Sequence, residues 1–373
     1  MPVCLSHGGP SLHRSPAPAD ELFIATTDGL IRAQRADGGS WSVTDQQLNG
    51  KHVAAIMIEP VSGLMLAGTH GQGLYASEDQ GKSWARRDNG IESPNIYVLN
   101  SATANGAIRL YAGTQPARLY VSTDMGNSWQ DLPALRDVPS VEQWTFPAPP
   151  FQAHIKQMAF DPRSADHIYV AVEVGGLFKT TDAGQTWRQL SGFWEDVHRV
   201  VVMPHDPDTV YISDGDGLYC SHDAGDSWAR LTDRDWRIGY PDPLIVHPDR
   251  PELMFTSGGA TIPPKWASSG TADSRIARSR DGAKTWEILA GKGLPEHIRG
   301  FLGTGSANTW PDGFELFIGS TDGDVYYSND DGDSWSVIVN GLAPIAKDLH
   351  QQMFQMAKTG DLSATAAYRP APR

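Results

Sequence analysis

Ser77-Glu-Asp79-Gln-Gly81-Lys-Ser83-Trp84 is the stretch that decides the fold, because it recurs. The pattern Ser/Thr-x-Asp-x-Gly-x-Ser/Thr-Trp returns at residues 122–129, 180–187, 221–228 and 328–335. Residues 279–286 repeat it with Gly282 one place early and Ala283 in the glycine slot. A worn copy, Asp37-Gly38-Gly39-Ser40, ends at Trp41. The seven tryptophans stand at 41, 84, 129, 187, 228, 286 and 335, with gaps of 43, 45, 58, 41, 58 and 49. A period in the forties suits a blade of four short strands. In the second repeat those strands read as 52–59, 64–68, 73–77 and one leaving Trp84. The octet is hairpin-turn chemistry. Ser/Thr and Asp accept backbone N–H bonds, Gly permits positive φ, and Trp wedges into the blade. The fold class expected is all-β, a single seven-bladed β-propeller.

Composition agrees. The 373 residues carry 38 Gly and 26 Pro, turn-rich punctuation that leaves little room for long helices. The net charge is −14, which argues against a nucleic-acid or anionic-membrane binder. No run approaches the ~18 apolar residues of a membrane span, and residues 1–20 lack the apolar core of a secretion signal. The expectation is a cytoplasmic protein. Cys4 and Cys220 are too few for a disulfide framework, and Cys220 reads as a buried thiol. The domain reading is a flexible tail at 1–20, a propeller at 21–354 and a second tail at 355–373.

The octets resemble the Asp-box, or BNR, repeat of sialidases, xyloglucan-cleaving glycosidases, sortilin-type receptors and photosystem II assembly factors. The resemblance spans residues ~21 to ~354. It implies that the octets lie on turns between third and fourth strands, away from an active site, and are structural. It says little about function. The first repeat begins at its second strand, Glu21 to Ala25. Residues 345–354 therefore read as its missing first strand, closing the ring from the C-terminus.

First strands of propeller blades face the central channel. Eight positions upstream of Pro60, Pro162, Pro204 and Pro248, or at the matching place elsewhere, stand Asp348, His52, Asn95, His154, Asp196, Tyr240 and His297. Two residues on stand His350, Ala54, Tyr97, Lys156, His198, Asp242 and Arg299, pointing the same way. Thirteen of these fourteen are polar, aromatic or charged, and five are histidine, so the channel reads as a functional site rather than packing.

Neutral imidazole is the commonest metal ligand, so His52, His297, His350 and Asp348 form the expected metal set, for zinc, iron or manganese. His198, Tyr97, Tyr240 and Asp242 are the expected catalytic groups. Lys156 and Arg299 would receive an anionic group, with His154, Asn95, Trp194 and Trp236 completing the substrate site. Trp144 and Trp266 also map to the entrance side, and His70, Glu173, Asp214 and Asp322 to turns there. The leading reading is a small-molecule, metal-dependent hydrolase or lyase. The alternatives are a ligand- or protein-binding propeller with its partner on the entrance face, and a glycoside hydrolase. A sialidase is not the expected activity, because the resemblance would imply an Arg-Ile-Pro signature, which the sequence lacks, and an arginine triad, which the placed residues do not assemble. The xyloglucan-cleaving relatives use two propellers and a far longer chain.

Overall fold

A computed structural model describes residues 2–104, 106–233, 236, 238–347, 350, 352 and 354. The strands form seven sheets, one per repeat, in the blade pattern of a seven-bladed β-propeller. The described residues fall into two compact units, one running to Ile58 and resuming at Ile238, the other Glu59–Trp236.

In the unit Glu59–Trp236, three complete antiparallel meanders follow one another. The first is Ile96–Ala104, Ala107–Thr114, Leu119–Ser122 and Gln130–Asp131. The next is His154–Asp161, Ser164–Glu173, Gly176–Thr180 and Arg188–Leu190. The last is Val197–Val202, Val210–Asp214, Gly217–Ser221 and Ala229–Arg230. Inner strands are runs of Val, Ile, Tyr and Leu, residues that suit a pleated surface buried on both faces. Val210–Asp214 and Gly217–Ser221 are wholly buried. Outer strands shrink to two or three residues, which keeps each open edge short. Sheets approach closely where a glycine stands on a second strand. A Cβ at Gly113 would lie 2.6 Å from Cβ of Ile155.

The other unit corrects two expectations. The first sheet takes its innermost strand from the N-terminus. Val3–Leu5 pairs parallel with Glu21–Thr26, in register Val3↔Leu22 to Leu5↔Ile24. That place, expected for residues 345–354, is thus taken by the N-terminal strand. Ile345 packs in the same apolar cluster, but His350 is helical. The 1–20 segment is likewise no loose tail, since Leu12–Arg14 adds a parallel fifth strand to Thr304–Trp310. Val3, Cys4 and Leu5 are fully buried, so three apolar residues outweigh the Gly- and Pro-rich sequence around them. Residues 355–373 lie outside the described residues.

A third correction concerns the seventh repeat. Its first strand is Thr304–Trp310, not a strand starting at His297. Pro311 ends it, and the proline rule applied there gives 311 − 8 = 303, six residues beyond His297.

The octets behave as read. Ser77 Oγ donates to Asp79 Oδ1 at 2.8 Å and accepts from Gly81 N at 2.8 Å. Asp79 in turn accepts from Ser83 N at 2.9 Å and from Ser83 Oγ at 2.6 Å. These donors, the Ser83 hydroxyl first, hold the Asp79 carboxyl down at about 2. The turn needs two left-handed residues in a row, Gln80 (φ 62) and Gly81 (φ 82). The displaced glycine of the sixth octet fits the same backbone, with Gly282 at φ 71 and Ala283 at φ 67.

Candidate functional site

Four first strands carry an irregularity at the position read as the second inward layer. Pairing runs Ile96↔Thr114 then Val98↔Gly113, which leaves Tyr97 unopposed. Ile155↔Val172 then Gln157↔Ala171 leaves Lys156, and Val197↔Asp214 then Arg199↔Ser213 leaves His198. Between Pro241↔Gly258 and Leu244↔Thr256, the span holding Asp242 has one residue more than its partner. Strict two-residue alternation therefore breaks at these points. A bulge frees one residue from the ladder and re-aims its side chain.

Within Glu59–Trp236, this brings five ionisable side chains together. His154 Nε2 lies 2.8 Å from Glu173 Oε2, and Lys156 Nζ lies 3.6 Å from the same oxygen. On the next sheet, His198 Nε2 lies 3.4 Å from Asp196 Oδ1. One ligand atom each from Glu173, Asp196 and His198 all fall within 4.8 Å of one another. All five residues are at most 3% exposed. Taking such groups out of water is costly unless they compensate one another, and clusters of this kind concentrate at working sites. The Tyr97 ring packs 4.0 Å from that of His154, with Phe146 at 5.0 Å from His154 and His70 edge-on to Tyr97 at 4.2 Å.

Asp214 closes the turn beside this cluster. Its carboxylate accepts from Trp194 N at 2.9 Å and from Asp216 N and Gly217 N at 2.8 Å each. Burial nevertheless pushes its carboxyl up to about 7, against the pull of those donors and of His198. Trp194 is positioned by this bond and lies against Gly215, while Trp236 donates its backbone N–H to Asp233.

The other unit gathers a second group. His350 sits among Phe301 (4.2 Å), Trp266 (5.7 Å) and Tyr240 (6.4 Å), ring to ring. Trp266 rides on the helix Pro263–Ser269, which forms within the long turn insertion and is capped by Gly270 at φ 72. Asp242 Oδ2 lies 3.9 Å from Nε2 of His7, whose Nδ1 is 3.1 Å from the Gly303 carbonyl. Tyr240 and Asp242, expected as catalytic groups, thus lie near His350, expected in the metal set, with His7 between Asp242 and the His350 ring at 5.9 Å.

The described members of the expected metal set, His52, His297 and His350, are not brought together. His297 has an 80% exposed side chain, 3.6 Å from Asp273. His52 Nε2 meets the Ala346 carbonyl at 2.9 Å, and His350 is boxed by aromatic rings. Asp348 lies outside the described residues. Among the described residues, Glu173, Asp196 and His198 are the group spaced for a cation. Arg299 is half exposed, pairs with Asp322 and lies over the Phe354 ring. Asn95 is occupied at its backbone, its carbonyl accepting from Gln115 N and its N–H donating to Ser93 Oγ. Glu173, the hub of the larger cluster, stood in the sequence as a turn residue. Its pairing with His154 across the hairpin was the signal that could have found it.

Comparison with known proteins fits this architecture. The family model described as Sortilin, neurotensin receptor 3, matches residues 175–295. A Paenibacillus xyloglucanase is 27% identical over 224 residues, 49% of this chain and 21% of that protein. Xyloglucanase Xgh74A of Acetivibrio thermocellus is 26% identical over 207 residues, 44% of this chain and 24% of that protein. The chain thus spans less than a quarter of these relatives. Among solved structures, the Xanthomonas campestris GH74 xyloglucanase superimposes with TM-score 0.66 at 18% identity, covering 91% of this chain and 55% of that one. A YCF48 chain bound to D1 peptide gives TM-score 0.52 at 15% identity, covering 80% and 84%. With the octet geometry, these matches make the chain an Asp-box repeat propeller.

Proposed function

We propose that this protein is a hydrolase that cleaves a glycosidic bond in a small carbohydrate, with Glu173 and Asp196 as its working carboxylates. The observation that carries the reading is their approach, within 4.8 Å and beside Lys156, His154 and His198. Carboxyl groups about 5 Å apart suit a mechanism in which one attacks the sugar and the other manages the proton. Glu173, contacted by Lys156 and His154, attacks the anomeric carbon as the bond to the leaving oxygen breaks. Asp196, with His198 beside it, gives that oxygen its proton. It then takes a proton from the water that hydrolyses the glycosyl ester on Glu173. Likeness to xyloglucanases over nearly half the chain supports the reaction class. Lys156 and Arg299 are both engaged by carboxylates, which favours a neutral substrate.

The centre is covered. Phe146 packs on His154, and the segment that carries it runs on to the half-exposed Phe151. Substrate enters when residues 145–153 lift. Glu173, Asp196 and His198 would also suit a divalent zinc, iron or manganese ion. Lys156 already brings positive charge to the same oxygen of Glu173, so the metal-free assignment is preferred.

The test is turnover of a panel of neutral aryl glycosides and short oligosaccharides. Glu173→Gln and Asp196→Asn should each lower kcat by about 10²–10⁴-fold while the melting transition stays cooperative. No turnover by the parent protein, or equal turnover by both variants, would remove the reading. Stoichiometric metal lost in His198→Ala would replace it with the metal-dependent one. A second reading, a peptide-binding propeller, is favoured by one observation. The chain covers most of the YCF48 chain solved with a peptide but only about half of the xyloglucanase.

A further inference from the structure

The octet ends of the sheets were read as purely structural, yet a cavity of about 890 Å³ opens there. In the seventh sheet, the turn after Thr304–Trp310 and the octet after Val325–Ser328 lie at one end of the meander, and both line it. The residues following Tyr240–Val246 complete the wall. The volume falls within the usual range for small-molecule pockets, roughly 300–1,000 Å³.

Its chemistry is specific. Trp310 packs over Gly313, where a Cβ would come within 2.2 Å of the indole. His247 is only 6% exposed and packs at a tilt against Phe314, ring centroids 4.7 Å apart. Its Nδ1 accepts the backbone N–H groups of Asp249 and Arg250 at 3.2 and 3.1 Å. That fixes the neutral tautomer with the proton on Nε2. Burial and Arg250 push this imidazole below its ordinary value, keeping it neutral. Among the described residues, His247 Nε2, Trp310 Nε1, the Asn329 amide and the Asp312 carboxylate have no hydrogen-bond partner. The two cations are already matched, Arg250 by Asp331 at 2.7 Å and Arg14 by Asp249 at 3.4 Å. Asp330 is held by Ser328 and Ser334.

We infer that this cavity is a binding site for a neutral saccharide, with Trp310 as the stacking surface and His247, Asn329 and Asp312 as partners for sugar hydroxyls. An anion would find no uncommitted positive charge. A sugar ring offers an apolar face to the indole and a rim of hydroxyls to the free donors and acceptor. The inference goes beyond the hydrolase reading and does not rest on it, because the groups are different and lie in the other unit.

Calorimetric titration with cellotetraose, xylotetraose and maltotetraose tests it. Saturable binding of at least one is expected. Trp310→Ala should weaken it about tenfold or more, and Asp312→Asn several-fold. Asp312 is exposed, so its variant decides the matter if Trp310→Ala fails to fold. No saturable binding of any of the three overturns the inference. So does binding that survives both cavity variants. Loss of binding in the cavity variants with glycosidase turnover intact would leave the hydrolase reading standing separately.

Discussion

Nε2 of His154 lies 2.8 Å from Oε2 of Glu173, the first and last residues of a paired hairpin, and neither side chain exposes more than 1%. Lys156 shares that oxygen. Removing the shared carboxylate strands a buried cation. Glu173→Ala should lower the unfolding free energy by about 3–5 kcal/mol. Lys156→Met in the same background should restore part of it. Urea denaturation of the two single variants and the double variant measures the coupling, and strictly additive losses would contradict the pairing.

Asp214 sets a pH dependence. Its carboxyl is raised from about 4 in the unfolded chain to about 7 when folded. Between those values the folded state binds more protons at this group, so the contribution of Asp214 to stability is fully present below pH ~4 and is lost as pH rises through 7. Asp214→Asn should flatten that slope. It should also cost about 1–3 kcal/mol, since the amide cannot accept from both sides of the turn. Denaturation midpoints from pH 4 to 8 read both effects.

The N-terminal strand is part of the core. Deleting residues 2–15 removes Val3, Cys4 and Leu5 from the first sheet, along with the strand Leu12–Arg14. Burial of Val and Leu side chains is worth about 1.5–3 kcal/mol each. The truncated chain should melt at a markedly lower temperature or be recovered insoluble. An unchanged melting curve would exclude the pairing.

The octet turns hold non-glycine residues in the left-handed region, among them Ala183 at φ 60. A Cβ there is strained by about 1 kcal/mol relative to glycine. Ala183→Gly should therefore raise the unfolding free energy by about 0.5–1 kcal/mol, readable as a shift in the urea midpoint.

The repeat was legible because each octet closes upon itself. Asp79 is satisfied by Ser77, Lys82 and Ser83, all within five residues, so local sequence specifies it. The blade count followed. The closing strand was not legible, because Val3–Leu5 is only three residues long and pairs parallel across sixteen intervening residues. For the site, the proline anchor put His154, Lys156 and His198 on first strands and Asp196 one residue before one. It erred in the seventh repeat, where Pro311 lies beyond a longer lead-in. Glu173 and His7 escaped because their partners are set by pairing register and by the path of the N-terminus, neither of which leaves a periodic trace.

The irregular first strands have a consequence for how such a chain changes over time. Tyr97, Lys156, His198 and Asp242 stand where the ladder makes no demand on them, while residues on either side keep the sheets in register. Selection can rewrite the chemistry at these four points one at a time, leaving the scaffold's folding instructions untouched. A new specificity would then emerge by substitution alone, with no insertion, deletion or shift of frame.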